Sequence, residues 1–103
     1  MIRIVNGKRY NTETAELLCN ISRGGYSRSD FAYDDTDLFV TKNGNFFIAG
    51  EGGARSRWAQ SLGQNGSTGG SGLRPISNDD ARNLLEQYGT PEQVERCFPV
   101  VDA

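Results

Sequence analysis

Leu38-Phe39-Val40-Thr41-Lys42-Asn43-Gly44-Asn45-Phe46-Phe47-Ile48-Ala49 is the stretch on which the fold turns. Two runs rich in aromatic and branched side chains flank an Asn-Gly pair. A two-residue Asn-Gly loop between such runs is the strongest short-range hairpin signal, because both loop residues tolerate positive φ. Pairing through that loop places Lys42 opposite Asn45, Thr41 opposite Phe46, Val40 opposite Phe47 and Phe39 opposite Ile48. One side then carries Phe39, Thr41, Phe46 and Ile48, and the other Leu38, Val40, Phe47 and Ala49. Both sides are apolar. Either other elements cover both faces, or one face stays partly open for a partner.

Upstream, Asn6-Gly7 separates Arg3–Val5 from Lys8–Tyr10 and predicts a smaller hairpin. The segment from Asn11 to Ile21 predicts a helix over 12–21. Asn11 or Thr12 can cap it, Ala15, Leu18 and Cys19 share a face, and Gly24-Gly25 stops it. Downstream, Ala54, Trp58 and Leu62 fall in line and predict a short helix over 54–62. Residues 63–72 are dominated by Gly, Ser and Asn and predict a flexible loop. Leu73-Arg74-Pro75-Ile76 predicts an edge strand, since Pro cannot donate to a ladder.

Ser77 caps a helix over 78–88, with Asp80 at the reciprocal capping position and Ala81, Leu84, Leu85 and Tyr88 as the apolar stripe. Gly89 ends it. Thr90, Pro91 and Gln93 open a second helix over 91–98, with Val94, Cys97 and Phe98 facing inward. The expected fold is α+β. It is a single domain over 1–103: a small antiparallel sheet of three or four strands with a central hairpin, packed by three or four short helices.

A chain of 103 residues supports one modest core. The net charge of −2 argues against a general phosphate binder. There is no histidine, which excludes His-based triads and His-containing zinc sites within the chain. Cys19 and Cys97 are too few for a thiolate zinc cluster and read as reduced, partly buried thiols. No apolar run reaches the length needed to cross a bilayer, and the first residues lack a signal-peptide core, so a cytoplasmic protein is expected.

Three features carry candidate chemistry. Asp34, Asp35 and Asp37 follow Asp30 but fit no calcium loop, and read as a solvated turn or an anionic patch for a basic protein surface. Gly50-Glu51-Gly52-Gly53-Ala54 resembles a phosphate cradle only loosely: Arg55 stands where the dinucleotide fingerprint needs Gly, and no Gly-Lys-Ser/Thr follows. Arg55, Arg57 and Trp58 are residue types that dominate interface hot spots, although a lone Trp is first of all core mass. Charge is also uneven. Residues 52–76 hold three arginines and no acid, whereas 77–103 hold six acids and two arginines. A pair such as Asp35/Glu51 could do acid–base work, but no nucleophile with an activating base accompanies it, so no enzyme, catalytic residue, metal or cofactor is expected. The expected partner-binding residues are Asp34, Asp35, Asp37, Glu51, Arg55, Arg57 and Trp58, brought to one end of the central hairpin.

A set of motifs recurs in order: Lys8-Arg9-Tyr10-Asn11-Thr12-Glu13-Thr14-Ala15, Ser29-Asp30-Phe31, the hairpin Leu38–Phe47, and Gly50-Glu51-Gly52-Gly53-Ala54. The set resembles small proteins of bacterial phages and other mobile elements, some of them similar to anti-CRISPR proteins. It covers about residues 1–60. The resemblance implies a stoichiometric inhibitor acting in the host bacterial cytoplasm on a Cas effector or its complex with guide RNA. It transfers no catalytic residue. The alternatives are a structural or regulatory adaptor of a mobile element, or a small single-stranded nucleic-acid binder using the arginine segment, although the charge disfavours direct nucleic-acid binding.

Overall fold

The computed structural model describes residues 1–22, 33–61 and 66–103. The Gly24-Gly25 stop, Asp30, the Ser29-Asp30-Phe31 motif and Leu62 lie outside the described residues. The fold is α+β. Its centre is an antiparallel sheet in the order β3-β4-β5-β8, built from Glu16–Asn20, Asp34–Val40, Phe46–Gly52 and Gly70–Pro75. Two small ribbons accompany it: β1 (Ile2–Val5) with β2 (Lys8–Asn11), and β6 (Gln60–Ser61) with β7 (Ser67–Thr68). Two helices close the chain, α1 (Asn78–Tyr88) and α2 (Pro91–Cys97).

The central hairpin forms where expected, one residue out of the expected register. Val40 pairs with Phe46, Phe39 with Phe47 and Leu38 with Ile48. The loop holds three residues, not two. Gly44 N–H donates to the Thr41 carbonyl at 2.9 Å, Thr41 N–H to the Asn45 carbonyl at 2.8 Å, and Gly44 sits at φ 82°. This is a turn followed by a left-handed residue, the common three-residue hairpin loop. Thr41 Oγ1 locks it by accepting from Asn45 N–H at 3.0 Å. The slip re-sorts the side chains. Leu38, Val40, Phe46 and Ile48 share the inner face, and Phe39, Phe47 and Ala49 the outer one.

Both faces are covered, by different means. On the inner face Leu38, Phe46 and Ile48 join Leu18, Ile21, Trp58, Ala81, Leu85 and Val94, with Phe98 stacked on Phe46 at 5.2 Å. On the outer face the β1–β2 ribbon lies over Phe39, Phe47, Ala49 and Leu73, and Tyr10 meets Phe47 edge-on at 5.6 Å. The Asn6-Gly7 turn has positive φ at both residues, as a type I′ turn requires.

The helix expected over 12–21 is instead a turn and a strand. Asn11 uses its capping ability locally: its side chain accepts from Glu13 N–H at 2.9 Å and its carbonyl from Ala15 N–H at 3.0 Å. β3 follows, paired with β4 through a bulge between Leu17 and Cys19. The bulge explains the misreading. It lets the neighbours Leu18 and Cys19 both pack toward the inner core, so the segment lacks the alternation of a plain strand.

The helix expected over 54–62 is also absent. Residues 54–59 form a strap of successive turns, with Ser56 N–H donating to Gly53 O and Ala59 N–H to Ser56 O, and it leads into β6. Nor is 63–72 a plain loop. It contains β7 and the first half of β8, while residues 62–65 lie outside the described ones. α1 and α2 match expectation. Ser77 Oγ accepts from Asp80 N–H, and Thr90 with Gln93 forms a full capping box. Among the described residues two helices are therefore present where three or four were expected.

Candidate functional site

The acidic triplet lies within strand β4, not in the solvated turn expected before it. A strand alternates its side chains, so neighbouring aspartates part company. Asp34 and Thr36 point to the inner face and are buried at 4% and 0% exposure. Asp35 and Asp37 point to the outer face.

Asp34 is the hub of a closed polar network under the strap. Arg57 Nε donates to its Oδ2 at 2.7 Å, and the Thr36 hydroxyl donates to its Oδ1. Trp58 Nε1–H donates to Thr36 Oγ1 at 2.9 Å, and Arg57 also donates to the Ile21 carbonyl at 3.4 Å. Among the described residues no buried side-chain polar atom is left without a partner. A buried carboxylate is tolerable only when neutralised and hydrogen-bonded in this way. Asp34, Arg57 and Trp58, three of the seven residues expected to contact a partner, thus fasten the strap to the sheet.

Glycine makes room for that strap. Gly50 pairs with Gly72 and Gly52 with Gly70, so four glycines form a trough on the inner face. A Cβ on Gly72 would stand 3.0 Å from the Trp58 ring, and one on Gly70 would stand 2.6 Å from the Trp58 carbonyl oxygen. A Cβ on Gly50 would lie 2.7 Å from Thr36 Cα. The Gly50–Ala54 segment is accordingly a strand end and a turn shaped by packing. No helix follows it, so it offers no helix N-terminus to a phosphate.

The remaining acids gather on the outer face. Asp35 stands directly opposite Glu51, with Asp37 two positions along β4. Asn20 Nδ2 bridges Asp35 at 3.1 Å and Asp37 at 3.0 Å, the Ser22 hydroxyl donates to Asp35 at 3.3 Å, and the Tyr33 hydroxyl donates to Glu51 at 3.2 Å. The β1–β2 ribbon covers only the apolar half of this face, so Asp35, Asp37 and Glu51 border the ribbon as an acidic half. Across the sheet edge Arg55 is exposed. The expected convergence at one end of the hairpin therefore holds, since Asp34 pairs with Gly52 and Asp35 with Glu51, but the sheet divides the group between two faces.

Asp37 has a second effect. Cys19, half-buried on β3, is a free thiol whose pKa is raised above its ordinary value, first by burial and then by the negative charge of Asp37. Cys97 is also free and half-buried. Among the described residues no group of three or more His, Cys, Asp or Glu side chains could hold a metal ion, and no helix is long and apolar enough to cross a membrane.

Sequence reasoning noted Arg74 beside Arg55, Arg57 and Trp58 but left it out of the expected partner-binding residues, and it missed Arg3. Arg74 lies over the Trp58 ring at 4.9 Å and donates to the Arg57 carbonyl at 3.0 Å, while Arg3 donates to the Leu73 carbonyl at 2.6 Å. The signal available was the acid-free stretch 52–76 around Arg74; nothing local marks Arg3. Compared with protein-family models, with curated proteins and with solved structures, the chain matches none.

Proposed function

We propose that the protein is a stoichiometric protein-binding inhibitor, and that its target is a Cas effector or the effector's complex with guide RNA in the host bacterial cytoplasm. The observation that carries the protein-binding reading is the Asp35/Glu51 pairing with Asp37 beside it. Like charges directly opposite each other on a sheet are destabilising. A fold that gathers them at one end of its outer face presents an anionic surface suited to a basic one, such as a channel that holds nucleic acid. The resemblance of the motif set to phage and mobile-element proteins supplies the choice of target. Inhibition by occupancy needs no catalytic group.

The test is a plasmid-interference assay against a panel of CRISPR systems, with purified effector complexes for pull-down. The wild-type chain should relieve interference by at least one system. Asp35→Lys/Asp37→Lys should lose that relief while its thermal unfolding stays close to wild type, and the loss should be largest at low salt. Relief of no system, with no effector retained, would overturn the proposal.

A further inference from the structure

β8 is a terminal strand of the sheet, and its outer edge lines a cleft of about 360 Å³. The strap residues Trp58, Ala59 and Gln60 form one wall, and Arg3, reaching from the ribbon on the opposite face, forms the other. The floor is Ser71, Gly72, Leu73 and Arg74.

Pairing parity tells which main-chain groups face the cleft. Ile76 N–H donates to the Phe46 carbonyl, so even-numbered residues of β8 turn their peptide groups toward β5. Ser71, Leu73 and Pro75 then turn theirs to the outer edge. Arg3 finds the Leu73 carbonyl there, and Pro75 sits where a missing N–H costs nothing. Ser71 is exposed, whereas Leu73 is 2% exposed with Arg3 on its carbonyl, so its edge groups become available to another strand only when Arg3 moves. The charge is one-sided as well. Among the described residues no acid lines the cleft, and neither Arg3 nor Arg74 has a carboxylate partner.

We propose that the outer edge of β8, flanked by Arg3 and Arg74, is a docking groove for an extended acidic segment of a protein partner. The incoming strand extends the sheet through Ser71 and Leu73, the mode by which exposed edges capture peptides. In the free protein Arg3 shields the Leu73 carbonyl from indiscriminate pairing. On binding it yields that acceptor to the strand and takes a carboxylate, for which the guanidinium fork is suited. Arg74, held in place by the Trp58 ring, takes a second carboxylate along the groove. Edge amides matched to a peptide backbone favour a protein segment over a nucleic-acid strand. The inference rests on the protein-binding reading only in the nature of the occupant, and it concerns a different surface from the acidic half-face.

The test is a titration of the full chain, followed by amide NMR, with a capped six-residue oligoglutamate, whose carboxylates alternate between the two faces of the added strand. Its Gln-for-Glu counterpart and a six-nucleotide oligothymidine serve as comparators. Expected are saturable shifts at the Ser71, Leu73 and Arg74 amides, slowed hydrogen exchange at Ser71 and Leu73, and binding at least about tenfold weaker for the neutral peptide, the value of one charge-assisted contact. Arg3→Gln/Arg74→Gln should weaken binding by at least about tenfold, and Arg3→Lys/Arg74→Lys by less. Equal binding of the neutral peptide, unmoved edge amides at millimolar acidic peptide, or oligothymidine binding more tightly in the same cleft would each overturn the proposal. These readouts are independent of any CRISPR system, so failure here leaves the inhibitor reading standing, and failure of that reading leaves the groove standing.

Discussion

Arg57 donates its Nε–H to Asp34 Oδ2 at 2.7 Å, joining the strap to the start of the inner strand β4 across 23 positions of sequence. The carboxylate side chain is 2% exposed and the guanidinium side chain 20%. A pair this buried gains little over an apolar substitute, but breaking it by removing one partner strands the other.

Asp34→Ala and Arg57→Ala should therefore each cost about 3–5 kcal/mol in urea unfolding. Their combined cost should fall well short of the sum, because the two act as one unit. Asp35→Ala, on the opposite face of the same strand, should stay within about 0.5 kcal/mol. Near-equal costs at Asp34 and Asp35 would contradict the assignment of faces.

The glycine trough gives the second prediction. Gly72→Val should destabilise by about 1–3 kcal/mol, because the new side chain meets the Trp58 ring and the strap must lift. The lift should red-shift the fluorescence of Trp58, which is 5% exposed in the native fold. Gly7→Ala should cost stability without moving that emission, since only its positive φ objects to the change.

On helix α1 the two leucines of the stripe are not equal. Leu85 is fully buried between the inner face and α2, whereas Leu84 is only half-buried. Leu85→Ala should cost about 2–5 kcal/mol by chemical denaturation, and Leu84→Ala distinctly less.

What could be read from the sequence was what depends on near neighbours. The caps Ser77 and Thr90, the Pro91 entry and the Asn6-Gly7 turn are local chemistry, and all formed as expected. The hairpin around Asn43-Gly44 was legible, but its register was not, because the same pair serves a two-residue or a three-residue loop and the Thr41–Asn45 contact decides between them. Glu16–Asn20 looked helical because a bulge turns Leu18 and Cys19 to one side, and a bulge exists only relative to a partner strand. Gly70 and Gly72 looked like loop residues because the reason for their lack of side chains is Trp58, distant in sequence. The division of the candidate site between two faces was hidden for the same reason. Asp34, Asp35 and Asp37 are one run in sequence, and only β4 shows that the first belongs to the core.

Cys19 offers the last prediction, because its pKa shift has two separable causes. Burial and the charge of Asp37 both disfavour the thiolate in the folded state, burial more strongly. A group whose folded pKa lies above its unfolded value holds its proton more tightly when folded. Its contribution to stability is fully present below the unfolded pKa and is lost as pH rises through the folded one. In a Cys97→Ser background, stability should be level through neutral pH and decline above about pH 8.5, the ordinary range of a free thiol. Alkylation of Cys19 by iodoacetamide should likewise have a midpoint above that range. Asp37→Asn removes the Coulombic part and leaves burial in place, so the midpoint should move down but stay above the value for the unfolded chain. A midpoint unchanged by Asp37→Asn would remove Asp37 from the account. A midpoint that dropped all the way to the unfolded value would show that burial on β3 contributes nothing.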